Sequence, residues 1–155
     1  ISTWQMHSEK PQTRDEVISV LRRIFNGGRM RRLPKSRRDT EVLLALSAAS
    51  LDPRLTFSEP EINARLSDWL MAFADPQTID HVTLRRSMVD IFLLLRDPDG
   101  STYRTNQTVI NRFIEPDARG VEPVRVMTEV ADERARRKHK KQEKQEKREK
   151  QGRGG

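Results

Sequence analysis

The stretch Asp80–Tyr103, DHVTLRRSMVDIFLLLRDPDGSTY, limits what this chain can fold into more than any other. Its first half spaces Val82, Leu84, Met88, Val89, Ile91 and Phe92 at helical intervals behind Asp80, whose carboxylate can cap a helix. The period then changes. Leu93–Arg96 reads as a strand, Pro98-Asp99-Gly100 as a turn whose glycine is free to take positive φ, and Ser101–Arg104 as the returning strand. A helix running straight into a small hairpin is the pattern of a winged helix-turn-helix, in which the helix enters a DNA groove and the hairpin flanks it. The expected fold class is therefore mainly α with a small β-hairpin.

The elements upstream suit that pattern. Thr13-Arg14-Asp15-Glu16 matches a capping box, and Val17, Ile18, Val20, Leu21, Ile24 and Phe25 form one apolar face before Asn26-Gly27-Gly28 stops the helix. That face either packs on the domain or joins two copies in a homodimer. Asp39–Leu51 reads as a second helix closed by Asp52-Pro53, and Leu55–Phe57 as a short strand. Ser58-Glu59-Pro60-Glu61 starts a third helix carrying Ile62, Leu66, Trp69, Leu70 and Phe73, where Trp69 at helical spacing among leucines reads as core, not as a base-stacking surface. Ala74–Thr78 is the turn before Asp80. Residues 1–12 form a loose leader with Trp4 as an anchor, and Ile1 as first residue leaves room for a start residue, leader or upstream domain.

Beyond Tyr103, Thr105–Phe113 holds a short helix, 114–132 reads as a linker with Val124–Met127 alternating like a strand, and 133–155 as a disordered tail or transient helix. Pairs such as Glu143–Lys147 and Glu146–Lys150 support the helical alternative. The chain thus divides into leader (1–12), N-terminal helix (13–28), winged-helix domain with a basic arm (29–113), linker (114–132) and basic tail (133–155).

Charge separates these regions. The formal net charge is +7, and residues 133–155 alone carry that whole surplus, so the remainder is neutral on balance. The tail suits electrostatic anchoring on DNA, RNA or an acidic protein, or else only keeps the chain in solution; it lacks apolar residues for a membrane. Cysteine is absent, which excludes disulfides and thiolate chemistry. With no apolar run near the length that spans a bilayer and no signal peptide, the expected location is cytoplasmic.

Candidate contacts follow from the same reading. Arg29, Arg31, Arg32, Lys35, Arg37 and Arg38 in the segment Gly28–Arg38 form an arm suited to phosphates, or else a solvated linker whose Leu33-Pro34 plugs into the core. Projected at about 100° per residue, the helix 81–92 places Thr83, Arg86, Ser87 and Asp90 opposite its apolar arc and Arg85 inside it. Arg86 is then free for phosphate or guanine, with Asp90 one turn away to neutralise it. Arg85 should pair with Asp75, Asp80 or Glu61. Arg96 and Arg104 in the hairpin are positioning contacts. No catalytic residue, metal site or cofactor is expected. His7, His81 and His139 are scattered, no Gly-x-Ser-x-Gly occurs, and Asp97-Pro98-Asp99-Gly100 lacks the spacing of a calcium loop.

The runs Gly28-Arg29-Met30, Leu33-Pro34, Ser58-Glu59-x-Glu61-Ile62-Asn63, Asp80-x-x-Thr83-Leu84-Arg85-Arg86-x-Met88-Val89-Asp90 and Arg96-x-x-Asp99-Gly100-x-x-Tyr103 resemble the bacterial family of domains of unknown function 2087. The resemblance covers roughly residues 25 to 104. It implies a winged-helix module, sometimes fused behind an ArsR-type repressor domain, and with it transcriptional regulation through double-stranded DNA. The alternative is a protein-interaction module, non-enzymatic as well, within a larger, RNA-containing assembly.

Overall fold

A computed structural model describes residues 10–153; Trp4 and His7 lie outside the described residues. Among the described residues, six α-helices and a three-stranded sheet follow in the order α1 (Arg14–Ile24), α2 (Arg37–Ala49), β1 (Phe57–Ser58), α3 (Glu59–Met71), α4 (His81–Asp90), β2 (Leu94–Arg96), β3 (Thr102–Thr105), α5 (Gln107–Phe113) and α6 (Pro123–Arg153), with a 3-10 turn at Pro116–Ala118. The molecule is mainly helical with a small antiparallel sheet.

Local chemistry sets the helix starts. Thr13 and Glu16 form the reciprocal capping box of α1, and Ser58 accepts the Glu61 N–H of α3 with Pro60 in the first turn. Ser36 caps α2 by accepting the Asp39 N–H, so that helix begins at Arg37, two residues before the expected Asp39. Arg37 and Arg38 therefore lie on its first turn instead of in an extended arm.

In the sheet, β3 is the central strand. Phe57 pairs with Tyr103 on one side, while Leu94, Leu95 and Arg96 pair with Thr105, Arg104 and Tyr103 on the other. The third strand sits at Phe57–Ser58, slightly later than Leu55–Phe57. Alternation in β3 turns Tyr103 and Thr105 inward and Arg104 to solvent. Gly100 closes the hairpin with φ +75°, the left-handed region that favours glycine, and the tip of the Arg96 guanidinium occupies the space where a Cβ would stand.

The helix expected to reach Phe92 stops at Asp90. Phe92 N–H donates to Val89 C=O at 3.1 Å and Leu93 N–H to Met88 C=O at 2.9 Å, the bond pair of a Schellman cap. The left-handed position of that cap, usually glycine, is Phe92 with φ +64°, and its ring is half exposed. Phe92 thus leaves the apolar arc assigned to it, because the reversal needed to begin β2 turns it outward. A left-handed residue bearing a Cβ costs about 1–2 kcal/mol.

The region after β3 departs furthest from expectation. Gln12 joins Ile114 in an isolated parallel bridge, its N–H donating to Phe113 C=O and its C=O accepting from Glu115 N–H, both at 2.9 Å. Val124–Met127 is not a strand but the first turns of α6, which runs on through 133–153 as a continuous helix. The segment expected as a linker is packed. Ala118, Val121, Pro123 and Val126 are buried, and α6 lies against α1. One hydrophobic core consequently unites α1 and its C-cap (Val17, Leu21, Phe25), α2 (Leu43, Leu46), α3 (Ile62, Leu66), α4 (Leu84, Met88) and α6 (Val126). The sequence gives α1 two roles to choose between, and its apolar face is occupied by packing within the chain.

Truncation tests that shared core. A chain ending after Arg137 keeps the cover of α1 and is expected to melt with the full chain, as followed by circular dichroism. A chain ending after Gly120 loses Val126, whose burial alone is worth about 1.5–3 kcal/mol, and should melt measurably lower. Equal midpoints for the two truncations would refute the packing role of α6.

Candidate nucleic-acid interface

The connection between α3 and α4 is held by the segment before α2. Met30 N–H donates to Phe73 C=O at 3.0 Å and Asp75 N–H to Met30 C=O at 2.9 Å. Arg29 adds hydrogen bonds from one guanidinium nitrogen to the Met71 and Ala74 carbonyls, each at 2.7 Å. Arg29 is therefore a clamp on the turn preceding α4. That turn ends in Asp80, which accepts the Thr83 N–H at 2.6 Å and caps the helix. Acceptance of that N–H, then of the Thr83 side chain, holds the Asp80 carboxyl below its ordinary value.

The two adjacent arginines of α4 have opposite environments. Arg85 is buried, and its guanidinium donates to Asn63 Oδ1, forms an ion pair with Glu59 Oε1 at 3.3 Å and lies 5.6 Å from the centre of the Tyr103 ring. Its carboxylate partner is Glu59, not Asp75, Asp80 or Glu61. Glu59 and Asn63 stand one turn apart on α3, so the face that packs on α4 delivers both. That spacing was the available signal.

Arg86 is exposed and has no partner among the described residues; the neutralising bond to Asp90 does not form. Thr83 is exposed beside it, and Ser87 half-buried. Of the hairpin arginines, Arg96 places its guanidinium 5.8 Å from the Tyr103 ring centre and against Gly100, whereas Arg104 projects to solvent. Asp99 accepts the Ser101 N–H at 3.0 Å within the hairpin turn, which lowers its carboxyl below the ordinary value.

The basic arm divides by role. Arg29 clamps the turn, Arg37 pairs with Glu41 at 2.9 Å, and Arg38 Nε donates to Gln12 at 2.7 Å with the Gln12 amide turned to satisfy both it and Glu16. Arg31, Arg32 and Lys35 are exposed, and Leu33 packs against the core as the plug reading anticipates. Arg31 lines a cleft of about 440 Å³ with Arg29, Asp75 and Pro76 at the α3–α4 turn. Arg31 thus stands beside the turn that leads into α4, while Arg104 projects to solvent from the face of β3 opposite Tyr103. Among the described residues no three His, Asp or Glu side chains converge as metal ligands, and no helix is long and apolar enough to cross a membrane.

Residues 29–105 match the model of a family described as an uncharacterized protein conserved in bacteria, DUF2087. No curated protein and no solved structure matches the chain.

Two substitutions separate the arginines. Arg85→Ala removes a charged hydrogen bond and a buried stem and is expected to destabilise by roughly 1.5–3 kcal/mol in urea denaturation. Glu59 is half exposed and can regain water, which keeps the loss below that of a fully stranded charge. Arg86→Ala should leave the midpoint unchanged. Equal midpoints for both variants would overturn the two environments. For Asp80, a carboxyl whose folded value is depressed contributes stability at neutral pH that is lost as pH falls through that value. The midpoint gap between wild type and Asp80→Ala should accordingly be full at neutral pH and close in strong acid.

Proposed function

We propose, for a chain whose residues 29–105 belong to the DUF2087 family, that the α3–α4 pair and the β2–β3 hairpin form a winged helix-turn-helix that binds double-stranded DNA as a bacterial transcriptional regulator. The observation that carries this reading is the division of labour on α4. One arginine, Arg85, is consumed in holding α3, α4 and the sheet together, which leaves the adjacent Arg86 exposed with Thr83 on the outward face. An unpaired guanidinium on an exposed helix can bind guanine O6 and N7 through two hydrogen bonds. Arg31, Arg32, Lys35 and Arg104 supply phosphate contacts that position the helix without reading sequence. Arg96 also faces solvent, but its guanidinium already packs on Tyr103 and Gly100 and has less freedom to reach a phosphate.

A non-enzymatic protein-interaction module is the second reading. It draws on the half-exposed Phe92 and the exposed Asp90 at the end of α4, where an aromatic ring beside a carboxylate suits a protein partner better than a phosphate backbone. The basic helix from 133 onward would then reach RNA or an acidic partner.

Selection of genomic fragments by the full chain at near-physiological salt distinguishes the two, a regulator enriching one motif. Arg86→Ala is expected to weaken the selected fragment by about 1–3 kcal/mol relative to random duplex. Replacing Arg31, Arg32 and Lys35 with alanine should weaken selected and random duplex alike and flatten the salt dependence. If the unmutated protein binds no duplex at low salt, the DNA reading fails and the interaction module stands.

A further inference from the structure

The ends of α1 and the middle of α6 enclose a second basic feature, unconnected with α4. Arg22 and Arg23 from the last turn of α1 and Arg134 and Arg137 from α6 line a cleft of about 530 Å³, with Glu133 the one carboxylate in its wall. That volume lies in the range of small-ligand sites, about 300–1,000 Å³. The helices are brought together by the packing of Val126 and by the ion pair of Arg22 with Glu133. The cleft is therefore built by the fold.

Its charges do not balance. Glu133 is shared, bonding Arg22 and standing 3.7 Å from Arg137, and both neighbours hold its carboxyl below the ordinary range, Arg22 foremost. Arg23 turns to Asp39 at 2.9 Å. Among the described residues Arg134 has only the Asn26 side-chain oxygen, at 3.5 Å. Arg23 is already balanced by Asp39, and Arg22 lies in the field of Glu129 as well as Glu133, so the unbalanced charge in the cleft is that of Arg134 and Arg137, which an anion entering there would offset. Guanidinium forks match phosphate oxygens in pairs. From the cleft, α6 continues as an exposed helix rich in Lys and Arg, so the positive field does not end at the cleft but extends along a line.

We infer that this cleft is a binding site for a chain of phosphates, seated on Arg134 and Arg137 and continuing along α6. Polyphosphate and single-stranded RNA share that chemistry. The site stands on α1 and α6 and does not depend on whether α4 binds DNA.

The probe is sodium tripolyphosphate, titrated against the full chain at constant ionic strength while the melting midpoint is recorded. A saturable rise is expected, because a ligand bound only by the folded state stabilises it. Arg134→Gln/Arg137→Gln should weaken the apparent affinity by about tenfold or more, the loss of at least one charge-assisted contact. Lys144→Gln/Lys147→Gln removes the same charge further along α6 and should change tripolyphosphate binding little. If the glutamine variant is not folded by circular dichroism, Arg134→Lys/Arg137→Lys keeps the charge, loses the fork and should still weaken binding. Competition between tripolyphosphate and a single-stranded RNA oligonucleotide then identifies which source binds more tightly. A rise that never saturates, an equal response to citrate, or equal weakening by the Lys144/Lys147 variant would overturn the site in favour of diffuse charge attraction.

Discussion

Everything around α4 depends on a guanidinium that has been taken out of water. A buried arginine is tolerated only when its donors are met, and Arg85 meets Asn63 and Glu59 from α3 and the ring of Tyr103 from β3. Three elements are thereby fixed relative to one another through one side chain. Tyr103 extends the linkage, since Arg96 of β2 also packs on its ring and then fills the space that Gly100 leaves open. The hairpin is consequently attached to α4 both by sequence and by stacked cations.

Most of the local structure was legible because the signals were short-range. The capping box at Thr13, the Ser58 and Asp80 caps, the Gly100 turn and the apolar spacing of Leu84 and Met88 each involve residues a few positions apart. Arg85 could be assigned to the core from its angle on the helix wheel. Its partner could not, because several acids lay within plausible reach and only the packing of α3 on α4 selects Glu59. The end of α4 was misplaced for a related reason. Phe92 continues the apolar rhythm of the helix, and nothing in the rhythm reveals that the chain must reverse at that residue to start β2. The polar composition of 133–155 left a disordered tail and a transient helix both open; the early turns of α6 carry Val126 into the core, and a helix once begun there propagates cheaply. Likewise the cleft between α1 and α6 joins Arg22 to Glu133 across more than a hundred positions, beyond any local pattern.

The family match and the hydrophobic core have different boundaries. Residues 29–105 carry the α3–α4 pair and the sheet, while α1, the Gln12–Ile114 bridge and the start of α6 close over the same core from outside that segment. The flanks are structural parts of this domain. A fragment trimmed to the matched residues would expose the faces that Val17, Leu21 and Val126 now cover.

The continuity of α6 has a geometric consequence. From Arg134 to Arg153 every side chain is exposed, and about 30 Å of helix extends in register with the turns docked on α1. A slack tail would sweep out a volume and present its charges in all directions. This one works as a ruler with a compass bearing: inserting one residue near position 138 would advance everything beyond it by about 1.5 Å and swing it through about 100°. Whatever the distal lysines meet is therefore held at a fixed distance and azimuth from the domain, and the spacing of charges along the helix matters as much as their number.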